Sequence, residues 1–260
     1  QISGHPVLAH KITIMRSSET RSGTFRAVLR EVTYHLAYEA TSLLTTKPIA
    51  ITVPIPNKGG GIGSSDAHEA IAASSTMKNS TNSANSKETS TMEWPHGQKL
   101  KEHVALIPIL RSGLGMVDAM LELVPNAAIH HIGMYKRLGN QQPVQYFNRL
   151  PRKCTVDVAY VLDPVIQTSG TVMSVINILK KWGVAEIHVI SVIVSKTGLK
   201  QITDAHPDVH ITAGAIDEEM NQDGVILPGL GDPGDRQFDT DPINDDEVLL
   251  HPSKRTRTMD

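Results

Sequence analysis

The run best suited to hold an oxyanion is Asp163-Pro164-Val165-Ile166-Gln167-Thr168-Ser169-Gly170-Thr171. Its hydroxyls lie just before a helical pattern, Val172 to Lys181. Backbone N–H groups at such a helix start have no internal partner, and the helix dipole places about half a positive charge there. A phosphate fits that environment. Asp163 ends the apolar run Val156 to Leu162, at the C-terminal tip of an expected strand. Ligands of open α/β sheets bind at such tips, and a carboxylate there can accept hydrogen bonds from sugar hydroxyls. A plain turn with Thr168 or Ser169 as helix cap has the same composition. The loop has neither the Gly-Lys-Ser/Thr ending of a Walker A loop nor the Gly-x-Gly-x-x-Gly of dinucleotide binders. The glycine run 59–63 lacks a lysine and lies in low-complexity sequence.

Two other segments offer complementary chemistry. Pro108-Ile109-Leu110-Arg111-Ser112-Gly113-Leu114-Gly115-Met116 puts an arginine just past another apolar run, on a glycine-containing turn. The planar guanidinium makes paired, charge-assisted bonds to pyrophosphate oxygens. The stretch from Gly224 to Asp235 is rich in glycine and proline, able to close over a flat ring with the carboxylates of Asp232 and Asp235 at its edge.

These turns need a scaffold, and the pattern supplies one. Val104–Leu110, Ala128–Met134, Val156–Leu162 and Ile187–Val194 read as fully buried strands of a parallel sheet. Helical stretches at Met116–Val124, Gly170–Trp182 and Lys196–Ala205 alternate with them, which predicts an α/β, doubly wound, mainly parallel sheet flanked by helices. His5 to Leu44 forms an N-terminal helical arm, and Ile49–Ile55 a short strand. The adjacent His130 and His131 should project to opposite faces of their strand, which disfavours a shared metal.

One domain is expected over residues 1–260. Within it, 57–98 reads as a low-complexity flexible insertion, too poor in aliphatic residues to offset its ordering entropy. Beyond Asp235 a polar, acidic loop is expected, with 241–260 as a polar tail. The runs Asp217-Glu218-Glu219 and Asp245-Asp246-Glu247 read as solvated charge. Net charge is -2, without the basic footprint that nucleic-acid binding requires. The single cysteine, Cys154, and the absence of zinc-ligand spacing point to a reducing compartment, the cytoplasm. No run approaches the roughly 20 apolar residues of a membrane span.

Together these segments resemble the uracil phosphoribosyltransferases. The resemblance runs from His5-Pro6 through Met15-Arg16, Tyr38-Glu39-Ala40-Thr41, the Leu110 to Met116 turn, Tyr135 with Pro143-Val144 and Tyr146-Phe147. It continues through the Asp163 to Thr171 loop, Ala205-His206-Pro207-Asp208 and Pro228-Gly229-Leu230-Gly231-Asp232. It implies the type I phosphoribosyltransferase fold with a small C-terminal hood, and transfer of ribose 5-phosphate from phosphoribosyl diphosphate to N1 of uracil in pyrimidine salvage. It also implies Mg2+ on the diphosphate, a homo-oligomer and, as in some members, a GTP effector.

Carried over residue by residue, the resemblance assigns the donor to Arg111, Lys136, Asp163, Gln167, Thr168, Ser169, Gly170, Thr171 and Asp232. It assigns uracil to Ile226, Gly231, Asp232 and Pro233, with Asp232 on the donor side. Arg111 and Asp232 are the candidate catalytic residues; no base is fixed between Asp232 and Asp235, and Asp235 equally suits the role of a turn-capping carboxylate. Magnesium and Arg111 would stabilise the leaving group. Four positions depart from the family pattern. Ser169 stands where the first glycine of Thr-Gly-Gly is usual, at a cost of about 1–2 kcal/mol if the backbone there is left-handed. Pro233 stands for alanine and lacks an N–H for a uracil carbonyl. Val225 stands for tyrosine, and Lys136 for arginine. These departures motivate two rival readings: a non-catalytic binding or regulatory relative, and a transferase for another base.

Overall fold

The computed structural model describes residues 1–54, 91–136, 142–221 and 225–240. In chain order, α1 (Pro6–Arg16) and α2 (Ser22–Thr41) precede the strands β1 (Thr46–Pro54) and β2 (Thr91–Leu100). Then come β3 (Val104–Leu110), a 3-10 turn (Ser112–Met116), α3 (Val117–Leu123), β4 (Ala128–Ile129), β5 (Ile132–Lys136) and β6 (Pro143–Asn148). β7 (Val158–Leu162) and β8 (Val165–Ile166) lead to α4 (Gly170–Trp182), β9 (Glu186–Ser195) and α5 (Lys196–Ala205). The chain ends in β10 (His210–Asp217), β11 (Glu219–Met220), β12 (Ile226–Leu227) and α6 (Pro233–Phe238).

The central sheet runs β10-β9-β7-β3-β5-β6, with β4 beside β3 and β8 beside β9. Every pairing in it is parallel except β5 with β6. The continuous apolar runs follow from this, since β3, β7 and β9 are covered on both faces and every position but the strand ends Leu110 and Glu186 is buried. On one face α4 contributes Val172, Val175, Ile176 and Leu179, and α5 contributes Ile202. On the other, α2 brings Phe25, Val28, Leu29, Val32 and Leu36, and the Tyr160 hydroxyl reaches the Ala40 carbonyl at 3.5 Å. The doubly wound sheet and the helical arm are as the sequence predicts.

Several expectations change. Ala128–Met134 is two strands rather than one, because the chain bends at His130-His131, where the His130 N–H donates to the Leu106 carbonyl at 2.9 Å. The two histidines therefore sit in a kink instead of on opposite faces of a strand. The chain past Asp235 is not loop at first, since α6 continues to Phe238. β6 and β10 are additional strands. Asp217 is not solvated charge: it is 5% exposed and closes a two-pronged pair with Arg16 at 2.6 and 2.7 Å.

The chain falls into two compact units, Gln1–Leu43 with His103–Asp260, and Leu44–Glu102. The smaller unit holds the antiparallel pair β1 and β2, closed at its base where the Thr45 hydroxyl donates to Glu102 at 2.5 Å. Of the expected insertion, 57–90 lies outside the described residues, and 91–98 belongs to β2. The tail 241–260 also lies outside them. No described helix is long and apolar enough to cross a membrane.

A histidine in the sheet makes stability pH-dependent. His188 is 2% exposed, its ring lying between Tyr160 and His210 at centroid distances of 5.0 and 4.9 Å. Burial, then the neighbouring His210, lowers its pKa below the ordinary 6.5; Glu186, 3.7 Å away, opposes this only in part. The folded chain thus binds fewer protons than the unfolded chain near pH 6, so stability holds above about 6.5 and falls as pH drops below it. Melting temperature should fall between pH 7.5 and 5.5, and His188→Gln should flatten that fall. An equal pH slope in both chains would remove His188 as the cause.

Candidate active site

The site is assembled at the C-terminal ends of two neighbouring strands. β3 and β7 pair in parallel, Pro108 opposite Leu162, so Arg111 and Asp163 each lie just past the same edge. The 3-10 turn after Arg111 packs directly on the end of β7: a Cβ on Gly113 would run into the Leu162 carbonyl oxygen, so only glycine permits the approach. The Ser112 hydroxyl then donates to Asp163 Oδ1 at 3.2 Å. The two turns that the sequence singles out therefore share one cleft. Lys136 is the last residue of β5, which runs parallel to β3 and carries it to the same edge.

The loop from Asp163 to Thr171 is held firmly at its start. Asp163 is 7% exposed, and β8 pairs with Ile193 and Val194 of β9. Gln167 and Gly170 are half-buried and Thr168 is exposed, while Thr171, half-buried, lies in the first turn of α4. Ser169 precedes α4 with φ -64° and ψ -19°, a right-handed conformation open to any residue. The left-handed penalty considered for serine does not arise. Neither Thr168 nor Ser169 acts as an ordinary cap, because no side chain caps α4. The Ser169 hydroxyl turns away to donate to Gln201 Oε1 at 2.5 Å. The first-turn N–H groups of α4 are left without a side-chain cap, at the positive end of a 13-residue helix.

A hood built on α6 meets Arg111 from the C-terminal side. Asp232 Oδ1 caps this helix, accepting the N–H groups of Gly234 and Asp235 at 2.7 and 2.9 Å, while its second oxygen takes no part in these bonds. Pro233 occupies the first helical position, buried, where the missing N–H breaks no helical bond and the fixed φ suits the helix. Arg111 Nη2 donates to Asp235 Oδ1 at 2.7 Å, and Nη1 to the Thr240 hydroxyl at 3.3 Å. Gln237, fully buried, donates to the carbonyls of Ser112 and Pro233 at 2.9 and 2.7 Å. Hood and Arg111 turn are thereby one hydrogen-bonded unit.

The approach to the hood is fixed from the helical arm. Arg16, paired with Asp217, also donates to the Gly229 carbonyl at 2.8 Å, and Asp217 accepts the Gly229 N–H at 3.0 Å. Gly229 has φ +56°, and a Cβ would strike the Ile226 carbonyl, so glycine is required there twice over. Arg236 donates to the carbonyls of Met15, Ser17, Thr20 and Leu230 and lies over the Phe25 ring, 4.5 Å from its centroid. Burial lowers its pKa.

Of the predicted base-binding residues, Gly231 and Asp232 are exposed beside Arg111's partners, whereas the Ile226 side chain is 2% exposed and faces the interior. Val225, the tyrosine replacement, is 40% exposed. A cavity of about 450 Å³ lies between the 18–22 turn and Asp232, Asp235, Arg236 and Thr240. It touches the hood but none of the 163–171 loop. Sequence reasoning missed Gln237, Asp217, Arg236 and Gln201, whose roles depend on partners distant along the chain.

The uracil phosphoribosyltransferase family model matches residues 2–78 and 67–240. The chain belongs to that family. A relative from Roseiflexus castenholzii named uracil phosphoribosyltransferase is 36% identical over 92% of this chain and 97% of its own. Another of that name, from Agathobacter rectalis, is 37% identical with the same coverage. Among solved structures, the AQ2163 protein from Aquifex aeolicus superposes with a TM-score of 0.70 at 25% identity, covering 92% of this chain and 97% of that one. Membership of the family and the sheet order together fit the type I phosphoribosyltransferase fold.

Proposed function

We propose that this chain transfers ribose 5-phosphate from phosphoribosyl diphosphate to N1 of uracil, giving UMP and pyrophosphate. The observation that carries the reading is the juxtaposition of Arg111 and Asp163 past adjacent parallel strands, with the hood hydrogen-bonded to Arg111. Uracil phosphoribosyltransferase relatives matched over nearly their whole length support the choice of base and of reaction.

In this reading the 5-phosphate lies on the first-turn N–H groups of α4, with the hydroxyls of Thr168 and Thr171 and the amides of Ser169 and Gly170. Gln167 lines the entry, and Asp163 accepts from the ribose hydroxyls. Arg111, with Lys136, holds the diphosphate. Positive charge grows at the anomeric carbon as the bond to pyrophosphate breaks, and the guanidinium meets the negative charge that develops on the leaving oxygen. Pyrophosphate is already a good leaving group, which lessens the need for a general acid. The Gly231 to Pro233 turn and the Ile226 backbone frame uracil, and Asp232 faces the base as its proton acceptor, with Asp235 the second candidate. Arg111 and Lys136 would hold the diphosphate through which Mg2+ is carried, and the ion would there supply charge neutralisation to the departing group. A homo-oligomer, a GTP effector and a cytoplasmic setting belong to the same proposal.

The direct test is UMP formation from uracil and the donor, with and without Mg2+. Product should form and should fall to background with excess chelator. Donor binding without any product would favour the regulatory relative, and turnover of a different base would reassign the hood's specificity, which the missing N–H of Pro233 makes worth measuring.

A further inference from the structure

The proposed phosphate loop is buttressed by one stretch of chain, residues 192–201. The N–H groups of Val192 and Ile193 donate to the Pro164 carbonyl at 3.0 and 3.1 Å. Two side chains continue this row. Ser195, 1% exposed, donates from Oγ to the Gln167 carbonyl at 2.5 Å and accepts the Gly198 N–H at 2.8 Å, so one hydroxyl both caps α5 and grips the loop. Further along α5, Gln201 Oε1 accepts the Ser169 hydroxyl at 2.5 Å. Thr168 is thus flanked by two tethered residues.

We infer that Ser195 and Gln201 are positioning residues for the phosphate loop, setting Thr168 and the first-turn N–H groups of α4 at the spacing a phosphate needs. This rests on the donor reading above. Neither residue is among those assigned to substrate, so each acts through the loop. A loop already held in its binding shape loses less conformational freedom when the ligand arrives, which appears as affinity. The inference also accounts for serine at 169: a glycine has no side chain to tether, whereas Ser169 in this right-handed turn can be fastened to α5.

The test uses the full chain with Gln201→Ala, Ser169→Gly and the double variant, measuring calorimetric affinity for magnesium-phosphoribosyl diphosphate and steady-state UMP formation. Gln201 is exposed, so its replacement leaves the core intact, and melting temperature verifies this. Each single variant should weaken donor affinity and raise donor KM roughly three- to tenfold, the scale of one neutral hydrogen bond. In Gln201→Ala, kcat and the KM for uracil should stay within about twofold, a split that general loss of structure would not produce. The double variant should be no weaker than the worse single, since both remove the same bond. Wild-type donor affinity in Gln201→Ala, or additive losses, would overturn the inference while leaving the transferase reading intact. A wild-type chain that neither binds the donor nor forms UMP would defeat that reading and this inference with it.

Discussion

Arg111→Ala should lower kcat/KM for phosphoribosyl diphosphate by roughly 10²–10³-fold, the usual loss when one preorganised donor to a developing oxyanion is removed. The effect should be larger than for any other exposed residue of the cleft. The guanidinium is aimed by two hydrogen bonds, to Asp235 and Thr240. Its side chain is 46% exposed, so its ion pair with Asp235 contributes at most about 1 kcal/mol to stability. The melting temperature should therefore shift by no more than roughly 2–4 °C. Arg111→Lys should recover only part of the activity, because a point charge cannot make the two parallel bonds of the planar fork. A variant that melts far lower, with activity lost in proportion to folded protein, would make Arg111 a structural residue instead.

The second large effect is on stability. Asp217→Ala should destabilise the chain by roughly 3–5 kcal/mol, because it leaves the Arg16 guanidinium without its partner in a mostly buried setting and strips the Gly229 N–H of its acceptor. For a chain of this size that is a fall of about 6–20 °C in melting temperature. Arg16 and Asp217 side chains are 22% and 4% exposed, so solvent screens the pair little. Replacing both, Arg16→Met with Asp217→Leu, should cost less than the single change, since paired removal leaves no uncompensated charge. Because the same two residues hold the turn at Gly229, the single variant should also raise the KM for uracil before it affects the donor. A loss below about 1 kcal/mol in Asp217→Ala would mean that the hood is anchored elsewhere.

How far the sequence could be read follows from the range of the interactions. α4 and α5 are found at their observed bounds because their signals are local: apolar residues at helical spacing, with flanking turns on both sides. β3, β7 and β9 are equally plain, since burial on both faces demands a mainly apolar run, interrupted inside β9 by His188 and Ser191. β2 is not legible in that way. Its residues, Thr91-Met92-Glu93-Trp94-Pro95-His96-Gly97-Gln98, do not alternate, and what makes them a strand is backbone pairing with β1. β10 is hidden by His210, Thr212 and Gly214, small or polar residues whose strand conformation is imposed by β9. The bend at His130-His131 is likewise set by hydrogen bonds to β3 and Arg149.

The site divides along the same line. The types and order of Arg111, Asp163, Thr168 and Asp232 carried chemical meaning by themselves, and the parallel pairing of β3 with β7 brings the first two together. Ser169 illustrates the opposite case. Composition alone leaves its backbone shape open, and the fold resolves it as right-handed, with a hydroxyl partner on a different helix. Asp217 fails for a similar reason: in a run of three acids it resembles solvated charge, and only the arrival of Arg16 from the N-terminal arm makes it a buried anchor.

The central claim is that one cleft offers two anion subsites, a helix mouth for the 5-phosphate and Arg111 for the diphosphate. Calorimetric titration of wild-type and Arg111→Ala chains with phosphoribosyl diphosphate and with ribose 5-phosphate separates them. Affinity for the diphosphate donor should fall at least tenfold in the variant, about 1.4 kcal/mol, while affinity for ribose 5-phosphate is unchanged. Equal weakening of both ligands, or no weakening of either, would contradict the two-subsite arrangement.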